Sequence, residues 1–312
     1  MNACDILNLI ENDLINNHWC INENAKSYIF VKNNYQATCS FKQKLNIIEG
    51  YQKIYNTLTS LNHCILYKPL DILDSYKNNS FIGSGLDLYY PYFYDNIKMP
   101  HNPSLIFQPV VRYSKEKLMG VTKYKSSISF VNVSYFKEFN NNLFECINEV
   151  IDIYSKLGIH ASNLKIKLNK KEYKYLNKEK HFIIKFYING LEVSDILLIF
   201  CHHKTFIEYG FGIERMLMAI FNCQYENLFF NERTNYYHDD LIRINFISLL
   251  AFSSQKFKKG SKSIYNKIKN ELKLCPYKDS LKILKVNYNY WKLVLNSSMS
   301  FNKFLNNYAK LI

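Results

Sequence analysis

The sequence predicts an α+β fold, an antiparallel sheet flanked by helices and followed by a C-terminal helical region. Three observations lead there. Asn189-Gly190 joins two apolar runs, Phe182 to Ile188 and Leu191 to Phe200, and Asn-Gly in that setting is the strongest short hairpin signal. Leu105 to Tyr113 and Ser127 to Phe136 alternate on either side of a polar loop, which reads as a long-looped antiparallel hairpin. Helical periodicity runs through Asn46 to Ser60 and Leu143 to Leu157, and dominates from Asp239 onward.

Each element follows from its local pattern. Residues 1 to about 45 are polar and Asn-rich, hold Trp19 and carry no motif. In the first helix Ile47, Tyr51, Ile54 and Leu58 share a stripe. Cys64 to Leu70 reads as a short apolar strand ending near Pro69. Phe81-Ile82-Gly83-Ser84-Gly85-Leu86 is a glycine-bearing loop, and the aromatics Tyr89 to Tyr94 after it read as packing. In the first hairpin Gln108, Val110 and Arg112 share one face, as do Ile128, Phe130, Asn132 and Ser134 of the partner strand. The loop between them holds Lys115, Lys117, Lys123 and Lys125. Cys146, Val150 and Ile153 form the stripe of the second helix, and Gly158 is placed to cap it. Lys165 to Lys180 reads as a solvated strand and turn, with an RNA-facing patch as the minority reading. Thr205 to Tyr209 is a third strand behind the Asn-Gly hairpin. It runs through Gly210-Phe211-Gly212-Ile213-Glu214-Arg215 into a helix whose apolar face is Ile213, Met216, Leu217 and Ile220.

Composition narrows the class. The chain has 312 residues, 48% of them hydrophobic and 21% charged, enough for a real core and too ordinary for disorder. No apolar run is long enough for a membrane span, and the N-terminus does not read as a signal peptide. The eight cysteines contain no CxxC pair, which argues against a disulfide scaffold or zinc ribbon and for a reducing, cytoplasmic setting. The net charge of +14 favours a polyanionic partner such as nucleic acid, against the alternative that a Lys- and Asn-rich composition accumulates lysine anyway.

Among 40 basic residues only Arg112, Arg215, Arg233 and Arg243 are arginine. A guanidinium grips phosphate or carboxylate with a planar fork where lysine offers a point charge, so these four are the first candidates for anion chemistry. Gly210-x-Gly212 permits close approach of a ligand. It lacks the third glycine of a dinucleotide fingerprint and follows an antiparallel hairpin, which argues against a Rossmann site. Cys201-His202-His203 places adjacent ligands on opposite faces of a strand, a poor arrangement for one metal ion.

Tyr209-Gly210-Phe211-Gly212-Ile213-Glu214-Arg215-Met216 resembles motif 3 of the class II aminoacyl-tRNA synthetases, a Gly-x-Gly-x-Glu-Arg leading into an apolar helix. Phe107-Gln108-Pro109-Val110-Val111-Arg112, with the strand carrying Phe130, resembles motif 2. Within the class the chain looks most like alanyl-tRNA synthetase. The similar stretches are Ile47 to His63, Ser84-Gly85-Leu86 with Tyr92-Phe93, Tyr135-Phe136-Lys137, Asn222 to Phe229 and His238 to Arg243. At the family's Glu-Ile-Trp-Asn position this chain reads Glu192-Val193-Ser194-Asp195, and the Gly-Pro-Cys-Gly-Pro-Cys segment has no counterpart.

The resemblance implies a ligase that uses ATP and Mg²⁺ to activate an amino acid as its adenylate and then transfers it, with tRNA as the expected acceptor. It implies a class II synthetase-like catalytic domain over 46–235, an N-terminal extension of unknown role over 1–45 and a basic, acceptor-facing helical region over 236–312. Arg112 is expected at the α-phosphate, Arg215 at the γ-phosphate and Phe130 against adenine, with Gly210 and Gly212 beside the nucleotide. Gln108 and Asp195 are expected at the amino acid. Glu192 and Asp195 are the candidates for Mg²⁺, with an edge-strand surface charge as the bland reading of Glu192 and the substrate ammonium as the other role for Asp195. Arg243, Lys258, Lys259 and Lys262 are expected to meet RNA, and the resemblance allows a homodimer. Two other readings stay open: a paralogue that loads a small molecule, peptide or carrier protein, and a non-catalytic tRNA-binding relic.

Overall fold

The computed structural model describes residues 3–32, 45–61, 64–77, 79–95, 97–113, 127–170, 173–174, 180–201, 203–229, 238–272 and 280–312. Its centre is one mixed sheet. The strands are Trp19–Glu23 (β1), Ser27–Lys32 (β2), Ile65–Tyr67 (β3), Ser104–Val111 (β4), Ser129–Glu138 (β5), Leu164–Asn169 (β6), Tyr173–Lys174 (β7), Lys180–Ile188 (β8), Leu191–Cys201 (β9) and Lys204–Gly212 (β10). They run in the order β1-β2-β6-β8-β9-β10-β5-β4-β3, with β7 paired to β8. All pairs are antiparallel except β3 with β4, so the expected antiparallel sheet is corrected to a mixed one at a single edge. The predicted Cys64 to Leu70 strand shrinks to three residues, and its Ile65 and Leu66 remain exposed.

The helices are Ala3–Asn16 (α1), Ile47–Thr59 (α2), Tyr90–Asp95 (α3), Leu143–Lys156 (α4), Ile213–Phe221 (α5), Glu226–Phe229 (α6), His238–Leu250 (α7), Lys259–Leu272 (α8), Ser280–Val294 (α9) and Phe301–Leu311 (α10). None is long and apolar enough to cross a membrane. α2 begins where the sequence says it must. The Asn46 side chain accepts from the N–H groups of Ile48 and Glu49, and Glu49 reaches back to the Asn46 N–H, a complete capping box. Asn189 and Gly190 both take positive φ, the requirement of the tight hairpin between β8 and β9.

The two faces of the sheet differ. Alternate residues such as Phe107, Val131, Tyr209 and Ile196 join the main core under the helices. The opposite face holds a smaller cluster, in which Leu86, Tyr89 and Phe93 cover Phe136, Leu197 and Phe206. The segment from residue 79 to α3 therefore roofs only part of that face.

Two regions turn out more integrated than their sequence suggests. Within residues 1–45, β1 and β2 lengthen the sheet by pairing β2 onto β6, while Ile6, Ile10 and Leu14 of α1 enter the core. The Lys165 to Lys180 stretch supplies β6, an internal strand whose Leu164, Ile166 and Leu168 are buried. The C-terminal helices are tied to the sheet by buried polar bonds. Ser129 of β5 donates to Asn245 of α7 at 2.5 Å, and Asn245 donates to Asn287 of α9 at 2.8 Å.

Glu214 makes the strongest of these ties. Both of its carboxylate oxygens accept from the Val131 N–H, at 3.1 and 3.0 Å, and one accepts from the Tyr290 hydroxyl at 2.7 Å. A single side chain thus joins α5, β5 and α9. Truncating it would leave two buried donors unanswered, each costing about 1–3 kcal/mol. Glu214→Ala is expected to lower stability by roughly 3 kcal/mol and Tyr290→Phe by roughly 1 kcal/mol, read as shifts in urea midpoint at unchanged slope.

Candidate active site

A cleft of about 470 Å³ opens on the partly roofed face, between the Gly83-Ser84 turn and the ends of β5, β9 and β10. Arg112 and Phe130 line it from the first hairpin, and Gly210, Gly212 and Arg215 from the strand-to-helix turn. Glu192 and Asp195 line it from β9. Residues spread over more than a hundred positions of sequence meet here because β10 lies between β5 and β9.

The two glycines have different reasons. Gly210 faces Asp195 on one side and Ser134 on the other. A Cβ there would run into Asp195 Oδ1, so glycine is what allows that carboxylate to lie across the strand. A Cβ on Gly212 would meet only the Arg215 side chain, at 3.6 Å or more, and one on Gly83 would meet nothing. Protein packing demands glycine at neither place, and both leave cleft volume open.

The cations come from two elements. Arg112 follows β4 and is steadied by donating from Nε to the Gly83 carbonyl at 2.6 Å, with its guanidinium 5.2 Å from the centre of the Phe130 ring. The Gly83-Ser84 turn is fixed in its own right by Asp87, which accepts from the N–H groups of both residues. Arg215 stands in the first turn of α5, partly buried. Burial lowers its pKa, Glu192 and Asp195 oppose that, and Arg112 adds to it, so the two guanidiniums and two carboxylates share one electrostatic neighbourhood.

The anions depend on an irregularity. Residues three apart on a regular strand point to opposite faces. Between β8 and β9 the register slips, with Phe186 opposite Ser194 but Tyr187 opposite Glu192, so Val193 is the extra residue of a β-bulge. The bulge brings Glu192 back to the face of Asp195. There Glu192 accepts from Lys185 Nζ at 2.9 Å and from the Tyr187 hydroxyl. Burial works against the charge on Lys185, but Glu192 outweighs it and the net shift is upward. Asp195 is pushed up to about 6, by desolvation first and then by Glu192, with Arg112, Lys185 and Arg215 pulling the other way.

Sequence reasoning missed Glu208. It is 4% exposed, lines the cleft and accepts from Ser134 Oγ at 2.7 Å. Desolvation and the charge of Asp195 push it up to about 8. A lone Glu inside the apolar run of β10, two residues before the glycines, was the available signal. Asn132 was also not assigned a role. It accepts from the Gly85 N–H at 2.8 Å and holds the roof to the cleft floor.

Other expected site residues lie elsewhere. Gln108 is on the same sheet face but fully buried under the roof, where its amide accepts from the Leu70 N–H at 2.9 Å and donates to the Leu70 carbonyl at 3.0 Å. It braces the segment and is not part of the cleft, which corrects its expected place at the amino acid. Arg243 is bound to Asp240 and Glu271, and Lys258 donates to the Ser75 carbonyl, so neither presents a free cation for RNA. Lys259 and Lys262 are exposed on α8. Arg233, His202 and the loop lysines Lys115, Lys117, Lys123 and Lys125 lie outside the described residues. Among the described residues no group of three or more His, Cys, Asp or Glu is placed to hold a metal ion.

No protein-family model matches the chain, and no curated protein matches it.

The buried carboxyls have a consequence for stability. Glu208 keeps its proton up to about 8 when folded, against an ordinary value of 4.5. Between those values the unfolded chain binds fewer protons than the folded one, so stability falls as pH rises. Asp195 and Glu214, raised to about 6 and about 7, act in the same sense over the lower part of that window. Glu208→Gln should flatten the decline, measured as urea midpoints at about pH 5 and about pH 8. An unchanged slope would show that the carboxyl is not buried as described.

Proposed function

We propose that the chain activates an amino acid with ATP, forming an aminoacyl adenylate and pyrophosphate, and passes the aminoacyl group to an acceptor. The observation that carries this is the company the cleft keeps: Arg112, Arg215, Asp195, Glu208 and Glu192 line it together, with the Phe130 ring next to Arg112 and the acids Asp195 and Glu208 beside Gly210. A polyphosphate with an adjacent aromatic base and a zwitterion complements that set. The resemblance to class II synthetase motifs assigns Arg112 and Arg215 to phosphate, Phe130 to adenine and Asp195 to the amino acid or the metal, and gives Glu208 no role.

In the reaction a carboxylate oxygen of the amino acid attacks the α-phosphorus of ATP, and the bond to the pyrophosphate leaving group breaks. The protein contributes position and fixed charge. Arg112 would meet the charge that builds on the α-phosphate, its fork held by the Gly83 carbonyl. Arg215 would hold the far phosphates, and Phe130 would stack on adenine. Asp195 would take the ammonium and orient the attacking carboxylate. With Asp195 on the ammonium, Glu192, brought to the same face by the Val193 bulge, is the carboxylate left to offer hard oxygens. That fits magnesium, which commonly binds through one or two carboxylates plus substrate phosphates. When bound, the ion would neutralise charge on the leaving pyrophosphate.

For the acceptor, Lys256, Lys259, Lys262 and Lys267 on and before α8 are exposed basic groups that RNA could meet. The capture of Arg243 and Lys258 in intramolecular bonds favours the second reading, in which the acceptor is a small molecule, a peptide or a carrier protein.

ATP–pyrophosphate exchange screened over amino acids tests the activation. Arg112→Lys should reduce exchange by roughly 100-fold although the charge is kept, because the fork is lost. Near-normal exchange in that variant would sink the assignment. The acceptor is tested by transfer. Replacing Lys256, Lys259, Lys262 and Lys267 with Gln should leave exchange intact and abolish RNA acylation if RNA is the acceptor. Wild-type acylation should also weaken with salt, by about one log–log unit per phosphate contacted. A wild type that exchanges pyrophosphate but acylates no RNA establishes the alternative.

A further inference from the structure

Two carboxylates stand where one ammonium would need only one. A Cβ placed on Gly210 would touch Asp195 Oδ1 and lie 3.8 Å from Glu208 Oε1, so both acids crowd the same small space above this glycine. Among the described residues Asp195 receives no hydrogen bond, and Glu208 receives one, from Ser134. The lining of the same cleft includes Leu86, Ile183 and Leu197, which offer no donor, beside the polar Ser84, Asn132 and Ser194. Three cations lie near. Lys185 is held by Glu192 at 2.9 Å. Arg112 and Arg215 compensate the acids in the free protein but are the groups a polyphosphate would occupy.

With the arginines engaged by phosphate, the α-ammonium of the amino acid answers Asp195, while Glu208 faces the cleft with Ser134 as its one hydrogen-bond partner among the described residues. An ordinary amino acid brings only that one ammonium. Resting on the activation reading above, we infer that the amino acid taken by this cleft is a short diamino acid, carrying a second ammonium group on its side chain. Orientation follows from strand order. From Arg215 in α5 the chain leads back into β10 through Gly212 and Gly210 to Glu208, so the end distant from phosphate is Glu208. The α-ammonium meets Asp195 beside the reacting carboxylate, and the side-chain ammonium meets Glu208. The closeness of the two acids selects a short spacer, as in diaminopropionate, diaminobutyrate or ornithine. A recess built to pair a charged group also rejects analogues that lack it, because its own polar groups are then left bare.

The test is pyrophosphate exchange by the full chain, comparing those three acids with alanine and aminobutyrate, together with the shift in Tm that each produces. At least one diamino acid should exceed its uncharged analogue in kcat/KM by about tenfold or more. Glu208→Gln, nearly isosteric, should cut the value for the diamino acid by about tenfold more than the value for alanine, and Asp195→Asn should weaken all amino acids together. Exchange with alanine that matches or exceeds every diamino acid overturns the inference and leaves activation standing. A Tm rise with diaminobutyrate that Glu208→Gln removes, without exchange by any amino acid, supports the ligand class and overturns activation. No exchange and no Tm rise with any diamino acid overturns both.

Discussion

The Glu214 carboxylate is the constraint on which the rest of the structure depends. It belongs to the first turn of α5, one residue before Arg215, and it binds the backbone N–H between Phe130 and Asn132. Arg215 on one side of it, and Phe130 and Asn132 on either side of Val131, are cleft residues. A displacement of α5 against β5 would therefore shift Arg215 relative to Phe130 and detach Tyr290 of α9 at the same time. Desolvation raises this carboxyl to about 7, a cost that its hydrogen bonds partly offset. Position is obtained at the expense of stability, the usual trade where a site is held together by buried polar groups.

A second layer of constraint is steric. Gly50 of α2 would clash with Leu217 of α5 at 2.6 Å if it carried a Cβ, so the two helices approach as closely as glycine permits. Gly210 allows Asp195 to cross β10, and the Val193 bulge turns Glu192 toward it. Close packing under the sheet and an irregular strand above it combine to gather charge on one face. The roof is then fixed by side chains of the floor itself, with Gln108 holding Leu70 and Asn132 holding Gly85.

Much of this was legible in the sequence, for physical reasons that can be named. The Asn-Gly turn, the capping box at Asn46 and the alternation of the first hairpin are local signals, and local chemistry decides those elements. The rarity of arginine in a lysine-rich chain picked out Arg112 and Arg215, which meet in the cleft. What stayed hidden depends on distant partners. The residues of β6 read as solvated because every other one is Lys or Asn, yet two neighbours make it an internal strand. The Val193 bulge leaves no mark in an apolar run, so the parity of Glu192 could not be read. Gln108 shared the correct face, but nothing local told that residues near Leu70 would cover it. Glu208 looked like an ordinary strand residue until burial and Asp195 gave it meaning.

The strand order also fixes a timetable for biosynthesis. β1 and β2 come from residues 19–32, yet β2 pairs with β6 at residues 164–169. On a ribosome the amino-terminal hairpin emerges long before the strand that completes it, and α1 likewise waits for the rest of its core. Until then Phe30 and Trp19 have no core to enter, and one edge of the hairpin stays open to other chains. Residues 19–32 thus need protection during translation until β6 is made, and speeding elongation between the two would shorten the interval in which that edge is unguarded.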